Sequence, residues 1–258
     1  MYCHLLTTTT LASGISKFLS SKTKWRADFH NRFYSTVTDK VMVARSVSGP
    51  SAGGYYAAGS KGPTLWDDII AELGFWKALR GAGALKASLA SNGHIPNGLL
   101  LSLPSPSSQS IAPYSLSGAL GSLFITALSL KPAKNGSPVF ASKLCHMLCP
   151  SEFPIYDGKF IGRSTHARFN MLKSLSGWSS ISPAIASALQ TGLSIPQNQP
   201  LSYDIYRTFV LSAWDTLPTS KQSVLKLALD KAIIAGGFKN PIWAHYPYRT
   251  KIPELCLF

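Results

Sequence analysis

Three potential metal ligands lie close together in the stretch SKLCHMLCPSEFPIYDGKFIGR, residues 142–163. Cys145, His146 and Cys149 follow one another in C-H-x-x-C order. A structural zinc site needs four nitrogen or sulfur ligands, usually supplied as two short pairs. The other two cysteines of the chain lie near its opposite ends, and a free cysteine behaves as a small hydrophobic residue. The spacing therefore favours ordinary packing, and we expect no metal site.

A lysine and an aspartate in the same stretch suggest a different chemistry. Asp157 is the only acid between residues 152 and 204, and it lies in a basic region that also contains Lys143. An isolated carboxylate of this kind either caps the following helix or faces a cation across a cleft. A lysine acts as a nucleophile when burial or neighbouring cations lower its pKa. The residue types permit nucleophilic catalysis, and the spacing alone leaves both interpretations of Asp157 open.

The net charge of the chain indicates the class of its partner. There are 25 Lys and Arg against 11 Asp and Glu, which gives a formal charge of +14. No acid occurs between Glu72 and Glu152. A surface of this sign attracts polyanions, because binding releases counterions from a phosphate backbone. We therefore expect nucleic acid as the partner, ahead of charge that serves only solubility and, third, of an anionic membrane, and we expect no obligatory protein partner.

The cellular location of the protein is predicted from its cysteine content and from the composition of its N-terminal residues. Four cysteines do not form a disulfide framework in 258 residues, and no run of about 18 apolar residues predicts a membrane span. A reduced bacterial cytoplasm is the expected location. Residues 1–38 contain a single acid, Asp28, among many basic and hydroxyl residues. This composition is also typical of an organellar transit peptide, which is the alternative.

Hydrophobic periodicity predicts a mainly α fold, with strands or extended segments as minor elements at most. Residues 1–60 are rich in Ser, Thr and Gly, and we predict a basic, poorly packed N-terminal segment and linker followed by one helical domain over residues 61–258. The tail from residue 238 is aromatic and proline-rich, and we expect it to drape over the domain. The predicted helices cover residues 64–81, 115–130, 138–149, 168–178, 182–194, 202–217 and 219–237.

The order of these features resembles a known family. SKLCHML, a proline and then FPIYD are similar to the helix-hairpin-helix superfamily of DNA glycosylases, nearest to the 8-oxoguanine DNA glycosylase-like proteins of microbes. The resemblance implies a helical glycosylase-like bundle that acts in base excision repair as a hydrolase and lyase, without a cofactor. It implies that Lys143 attacks the sugar C1′ and forms a Schiff base. Asp157 would assist departure of an oxidised purine, and His146 would line or support the pocket.

Basic side chains around this pair are predicted to contact nucleic acid. Base excision requires the target nucleotide to flip out of the duplex, which demands firm contacts to the phosphate backbone. A solvated surface position is the alternative for each of these residues. The predicted contacts are Lys131, Lys134, His146, Lys159, Arg163 and Arg168.

Two departures from the family pattern keep a second function open. The glycine-rich hairpin of the type L-P-G-x-G-x-K is absent, since AKNGSPVFASK offers only Gly136. Lys143 and Asp157 are 14 positions apart, which is shorter than in the enzymes. The alternative is a non-catalytic nucleic-acid-binding module of a mobile element or defence system that uses the same fold. A third hypothesis is a helical protein-interaction domain whose charge is incidental.

Overall fold

The computed structural model describes residues 6–20, 65–75, 118–130, 138–156, 203–235 and 246–257. Within these ranges the chain forms seven helices and no strand, so the predicted mainly α fold is confirmed for this part of the protein. No helix in the same ranges is long and apolar enough to cross a membrane. The helices are α1 (Thr8–Ser20), α2 (Leu65–Phe75), α3 (Gly118–Ser129), α4 (Pro138–Leu148), α5 (Tyr203–Asp215), α6 (Thr219–Ala235) and α7 (Tyr248–Leu257).

Helix α4 is the central helix of the described structure. It begins at Pro138, whose fixed φ suits the first helical position, and it ends two residues before Pro150, which cannot continue a helix. Every side chain from Phe140 to Pro150 is buried except that of Lys143, which is partly exposed. Helices α2 and α3 both pack against α4. The polar residues of α4 are therefore enclosed and need hydrogen-bond partners inside the protein.

Four other helices lie where the sequence predicts them. Helices α2 and α3 fall within the predicted ranges 64–81 and 115–130, and α5 and α6 fall within 202–217 and 219–237. Helix α6 buries one side through residues at i, i+4 and i+8 spacing. The buried residues are Leu225, Leu229 and Ile233. The helices predicted at 168–178 and 182–194 lie outside the described residues.

Residues 248–257 of the C-terminal tail form α7, a helix that the sequence analysis did not predict. This helix packs against α1, α5 and α6, although it contains Pro253. Ile252, Leu255 and Cys256 are buried and recur at helical spacing. Proline and aromatic content concealed this periodicity in the sequence, whereas burial of the apolar face offsets the backbone hydrogen bond that a proline removes.

The prediction of a poorly packed N-terminus is wrong for residues 6–20, which form α1 and the two residues before it. Helix α1 packs against α6 and α7, and Leu11 is fully buried. Thr7 and Thr10 cap the N-terminus of α1. The Thr10 amide donates to the Thr7 hydroxyl and the Thr7 amide donates to the Thr10 hydroxyl, each at 3.1 Å. Reciprocal bonds of this kind satisfy amides that have no partner within the helix.

Helices α1 and α7 approach each other most closely at Gly14. This glycine is buried, and a Cβ atom at its position would overlap the carbonyl oxygen of Leu255. The same atom would lie 2.6 Å from the Leu255 carbonyl carbon. Backbone atoms cannot rotate away as a flexible side chain can. The absence of a side chain at Gly14 therefore lets the N-terminal helix contact the C-terminal helix directly.

We expect Gly14→Ala to lower the free energy of unfolding by about 1–3 kcal/mol, because α1 must move away from α7 to accommodate the methyl group. Gly74→Ala on α2 is the matched control, since a Cβ at Gly74 meets no atom within 4 Å. That variant should be neutral or more stable by up to about 1 kcal/mol, because alanine is the better helix former. Urea unfolding followed by tryptophan fluorescence measures both effects. Equal stabilisation by the two substitutions would contradict the close approach.

Candidate functional site

Two of the residues predicted to act at the site lie in the described structure, and both are on α4. Lys143 is partly exposed on a helix whose other described residues from Phe140 onward are buried. His146 is fully buried. The other predicted residues lie outside the described ranges, so their geometry stays a prediction. They are Lys131, Lys134, Asp157, Lys159, Arg163 and Arg168.

The chain that follows α4 is a buried segment without regular secondary structure. It comprises residues 150–156, turns at its start and runs without helical or strand pairing to Tyr156. Phe153, Pro154 and Tyr156 are buried. Buried N–H and C=O groups that lack a helix or sheet partner require side-chain partners instead. The 150–156 segment therefore depends on the helices around it.

Four consecutive carbonyl oxygens of the 150–156 segment accept hydrogen bonds from four different side chains. The acceptors are the carbonyls of residues 152, 153, 154 and 155 in turn. Their donors are Arg207 Nε at 2.8 Å, His146 Nδ1 at 2.7 Å, Tyr203 Oη at 2.9 Å and Tyr206 Oη at 3.1 Å. Helices α4 and α5 together hold the backbone of the segment in one conformation.

The His146 side chain forms its hydrogen bond to Phe153 in the interior of the protein. A carbonyl oxygen can only accept, so the bond to Phe153 places the ring proton on Nδ1. A fully buried ring cannot contact nucleic acid in this conformation, so the structure favours the predicted support role over the predicted nucleic-acid contact. His146 supports the chain that follows its own helix.

Two amides at the end of the segment are bound from opposite sides. The Ile155 N–H donates to Oε1 of Glu254 on α7 at 2.5 Å, and the Tyr156 N–H donates to Oγ of Ser142 on α4 at 3.1 Å. The Ser142 hydroxyl in turn donates to the Val139 carbonyl at 3.1 Å. Ser142 directly precedes Lys143, and Tyr156 directly precedes Asp157. The residues next to the predicted catalytic pair are thus hydrogen-bonded to each other.

Aromatic packing fixes the same end of the segment. The Tyr156 ring lies edge-on to Tyr206 and Tyr203, with centroid distances of 5.5 Å and 6.1 Å. Phe124 of α3 stacks on Tyr203 at 4.4 Å. Burial raises the pKa of Tyr203 well above its usual value, so the phenol stays neutral and donates to the backbone. The hydroxyl and the ring of Tyr203 both hold the chain that leads to Asp157.

A network of four charged side chains surrounds the turn at Glu152. Arg207 and Arg249 bind separate oxygens of the Glu152 carboxylate, at 3.1 Å and 2.5 Å. Arg249 also forms a forked pair with Asp215, with bonds of 2.9 Å and 2.6 Å. The Arg207 side chain is fully buried, and its guanidinium lies 5.7 Å from the centroid of the Phe153 ring. Forked arginine–carboxylate pairs fix orientation as well as charge.

Burial changes the proton affinity of the groups in this network. Burial raises the pKa of Glu152, while Arg249 and Arg207 lower it in part. Burial lowers the pKa of Arg207, which nevertheless stays a cation at neutral pH because the pKa of a guanidinium is so high. Both arginines are engaged by protein carboxylates and the backbone. The network therefore holds the turn at Glu152 in place.

The cysteines of the opening motif are buried thiols. Cys145, Cys149 and Cys256 are all reduced and buried. Burial raises the pKa of Cys145 well above its usual value, so this thiol is protonated and unreactive at neutral pH. Among the residues that the structure describes, no group of three His, Cys, Asp or Glu side chains is placed to hold a metal ion. Cys145 and Cys149 contribute packing around α4.

Sequence reasoning missed the acids that stabilise this site. The chain has 11 Asp and Glu, and Glu152, Asp215 and Glu254 all bind cations or an amide of the site. Sequence reasoning assigned a site role to one acid alone, Asp157. The same scarcity could have drawn attention to Glu152, which ends a long acid-free stretch. Its partners could not be found, because they lie 55 and 97 positions further along the chain.

Comparison with known proteins gives no relative. The chain matches no known protein family, no curated protein and no solved structure. A fold alone would not establish an activity in any case, because function depends on the chemistry of particular side chains.

We expect Arg207→Met to lower the free energy of unfolding by about 3 kcal/mol or more, because it leaves a buried carbonyl and a carboxylate oxygen without their donors. Lys226→Met is the control, since Lys226 is a partly exposed cation 5.7 Å from the Trp214 ring centroid. Its loss should cost about 0.5–1 kcal/mol. Urea unfolding measures both. Similar losses for the two variants would show that the Glu152 network contributes no more than a surface contact.

The pH dependence of stability tests the burial of Glu254. Burial raises its pKa above the ordinary value of 4.5, while Lys251 and the Ile155 amide lower it in part. The folded protein therefore binds this proton more tightly than the unfolded chain. The stabilising contribution is complete below the unfolded pKa and is lost as the pH rises through the folded pKa.

Glu254→Gln removes this titration. We expect the free energy of unfolding of the wild type, minus that of the variant, to decrease as the pH rises from about 4 to about 7. Urea unfolding of both proteins at several pH values measures the difference. A difference that grows with pH would mean that Lys251 outweighs burial and that the carboxyl pKa is lowered.

Proposed function

We propose that the protein binds DNA and excises oxidised purine bases, with Lys143 as the nucleophile and Asp157 as the assisting carboxylate. One observation carries this proposal. The Tyr156 amide donates a hydrogen bond to the Ser142 hydroxyl at 3.1 Å, which joins the turn of α4 that bears Lys143 to the chain that leads into Asp157. Residues that are 14 positions apart in the sequence thereby have hydrogen-bonded neighbours, which supports their assignment as a pair.

The position of Lys143 suits a nucleophile. It is the one side chain with appreciable exposure between Phe140 and Pro150, so its amine can meet a substrate while its backbone lies on a buried helix. Sites on packed helices are held more accurately than sites on loops. Helices α2 and α3 cover α4 and leave its backbone little freedom to move. The side chain of Lys143 is therefore partly exposed, while its backbone is held in place by the packing of α4.

The proposed chemistry uses these two groups in defined roles. The Lys143 nitrogen bonds to the sugar C1′ as the bond from C1′ to the base nitrogen breaks, and the base departs with that electron pair and a proton. The Asp157 carboxylate opposes the positive charge that develops on the sugar during this step. Loss of the amine protons and opening of the sugar ring give an imine between Lys143 and C1′, the Schiff base from which strand cleavage follows.

The charge of the chain supports DNA as the substrate class. A net charge of +14 provides the phosphate contacts that any DNA-binding enzyme needs. Several described acids are engaged inside the protein, where Glu152 and Asp215 bind arginines. Acids used in this way do not repel phosphate at the surface. The predicted contacts of the region, among them Lys159 and Arg163, add to the basic character of the chain beyond Asp157.

A non-catalytic DNA-binding module is the second candidate function. It is favoured by AKNGSPVFASK, residues 133–143, which lacks the glycine-rich hairpin that the resembling enzymes place before their lysine. Without that hairpin the backbone amides that hold a DNA phosphate would have to be supplied by another part of the chain. The basic charge and the helical fold would serve this function equally well.

Borohydride trapping tests the enzymatic proposal. Incubation with duplex DNA that contains 8-oxoguanine should give a covalent protein–DNA complex, because borohydride reduces the imine to a stable amine. Lys143→Ala should abolish the complex. Asp157→Asn should lower its rate of formation by about 10²–10³-fold, because it removes one electrostatic group from the transition state. Lys231→Gln, an exposed lysine on α6, is the matched control and should trap as the wild type does.

Each other outcome identifies a different function. Salt-sensitive DNA binding without trapping would sink the enzyme and support the binding module. Trapping that survives Lys143→Ala would show that another amine is the nucleophile. No affinity for DNA even at low ionic strength, where phosphate contacts are strongest, would exclude both candidates and support a protein-interaction domain.

A further inference from the structure

Helix α6 exposes three large apolar side chains to solvent. Val224, Leu227 and Ile234 are 56%, 55% and 58% exposed. Elsewhere in the part of the chain that the structure describes, Ile125 of α3 is the one large apolar residue of similar exposure. Single exposed apolar residues are ordinary in proteins, whereas several on one face of a helix are typical of an interaction surface.

The exposed residues of α6 follow the spacing of paired helices. Leu227 lies three positions after Val224, and Lys231 and Ile234 repeat this step one heptad later. Val224 and Lys231 thus occupy the a positions of a heptad and Leu227 and Ile234 the d positions, which are the two positions that face a partner helix. All four side chains are exposed. These four residues are called the α6 stripe.

The opposite side of α6 is already packed. Leu225, Leu229 and Ile233 are buried, and the helix packs against α1 and α7. A surface helix that has one packing partner usually carries polar residues on its other side. Helix α6 is apolar on both sides, and the exposure of the α6 stripe shows that no described helix covers it.

The charged residues on the exposed face of α6 are cations. Lys221 and Lys231 are exposed, and neither forms an ion pair among the residues that the structure describes. Asp230, the acid of this helix, is half-buried and accepts a hydrogen bond from Tyr248 Oη at 2.7 Å. Lys231 lies within the α6 stripe, while Lys221 lies at its edge. A complementary occupant therefore carries a negative group opposite Lys231 and apolar groups on both sides of it.

This pattern distinguishes between the possible occupants. A second copy would bring Lys231 close to another chain with a formal charge of +14, which is repulsive. A helix that lies on an anionic lipid surface keeps its cations on its polar face, whereas Lys231 lies in the middle of the apolar one. Nucleic acid offers phosphates but leaves the apolar side chains of the stripe without partners. A helix with one carboxylate among apolar side chains satisfies both requirements.

We propose that the α6 stripe binds an amphipathic helix of another protein whose apolar face carries one acidic residue opposite Lys231. Val224, Leu227 and Ile234 pack against the apolar side chains of that helix, and Lys231 pairs with the carboxylate. A single charged residue in an otherwise apolar contact fixes the register of two helices and discriminates between partners. The surface uses no residue of the proposed base-excision site.

Two synthetic peptides test this surface on the full-length protein. Each is a helix of about three heptads, enough to span the 17 residues of α6, with Leu at its a and d positions and uncharged residues at e and g. One peptide has Glu in the middle of its apolar face and the other has Lys. Fluorescence anisotropy of the labelled peptides measures both affinities. The wild type should bind the Glu peptide at least about tenfold more tightly, because Lys231 attracts the carboxylate and repels the ammonium.

Four variants assign the binding to the α6 stripe. Lys231→Glu should reverse the preference, and Lys221→Glu, which changes the net charge equally at the edge of the stripe, should keep that of the wild type. Leu227→Gln should weaken binding of the Glu peptide at least about tenfold, because it removes a central apolar contact. Ile125→Gln on α3 is the matched control and should bind as the wild type does. Circular dichroism checks the fold, and Val224→Gln replaces Leu227→Gln if the latter does not fold.

Each of the following outcomes would overturn the inference. The wild type could bind neither peptide, or Leu227→Gln could bind the Glu peptide as tightly as the wild type. A dimer in analytical ultracentrifugation that Leu227→Gln dissociates would assign the stripe to a second copy. Binding to phosphatidylserine vesicles that Leu227→Gln abolishes would assign it to a lipid surface. The proposed base excision is tested separately, because Leu227→Gln should give the same borohydride trapping as the wild type.

Discussion

The described structure depends on one constraint, the need to pair the backbone of a buried segment that forms neither helix nor strand. A buried N–H or C=O group without a partner costs about 1–3 kcal/mol, and residues 150–156 present many such groups in succession. Side chains of α4, α5 and α7 satisfy them one by one. These three helices must therefore pack around the segment, which fixes their positions relative to one another.

The small number of acids in the chain affects both the ion pairs of its interior and its net charge. With 11 acids for 25 basic residues, every buried cation consumes part of a small supply of negative charge. Arg207 is fully buried and needs Glu152, and Glu152 also binds Arg249, which needs Asp215. The two arginines and two acids of this network balance one another, so the net charge of +14 is carried by the rest of the chain.

Helices from both ends of the described chain help to hold the 150–156 segment in place. Helix α1 lies directly on α7, with no side chain between Gly14 and the Leu255 backbone, and α7 holds the 150–156 segment through Thr250 and Glu254. Interactions between residues this far apart in the sequence leave no signal in its local pattern. The N-terminal helix, which has no predicted chemistry, thus supports the region where the chemistry is proposed.

Local pattern in the sequence determined the helical class, the approximate limits of α2 to α6, the break at Pro150 and the choice of Lys143 and Asp157 as the pair to examine. Hydrophobic periodicity and the placement of prolines involve residues that are close together in the sequence, so they can be recognised without a structure. The packed α1, the helix at α7 and the side chains that hold residues 152–156 were decided by tertiary structure alone. Their partners are distant in the sequence, since Ile155 and Glu254 are 99 positions apart and Gly14 and Leu255 are further apart still, and one chain cannot reveal which distant groups burial will bring together to satisfy its polar atoms.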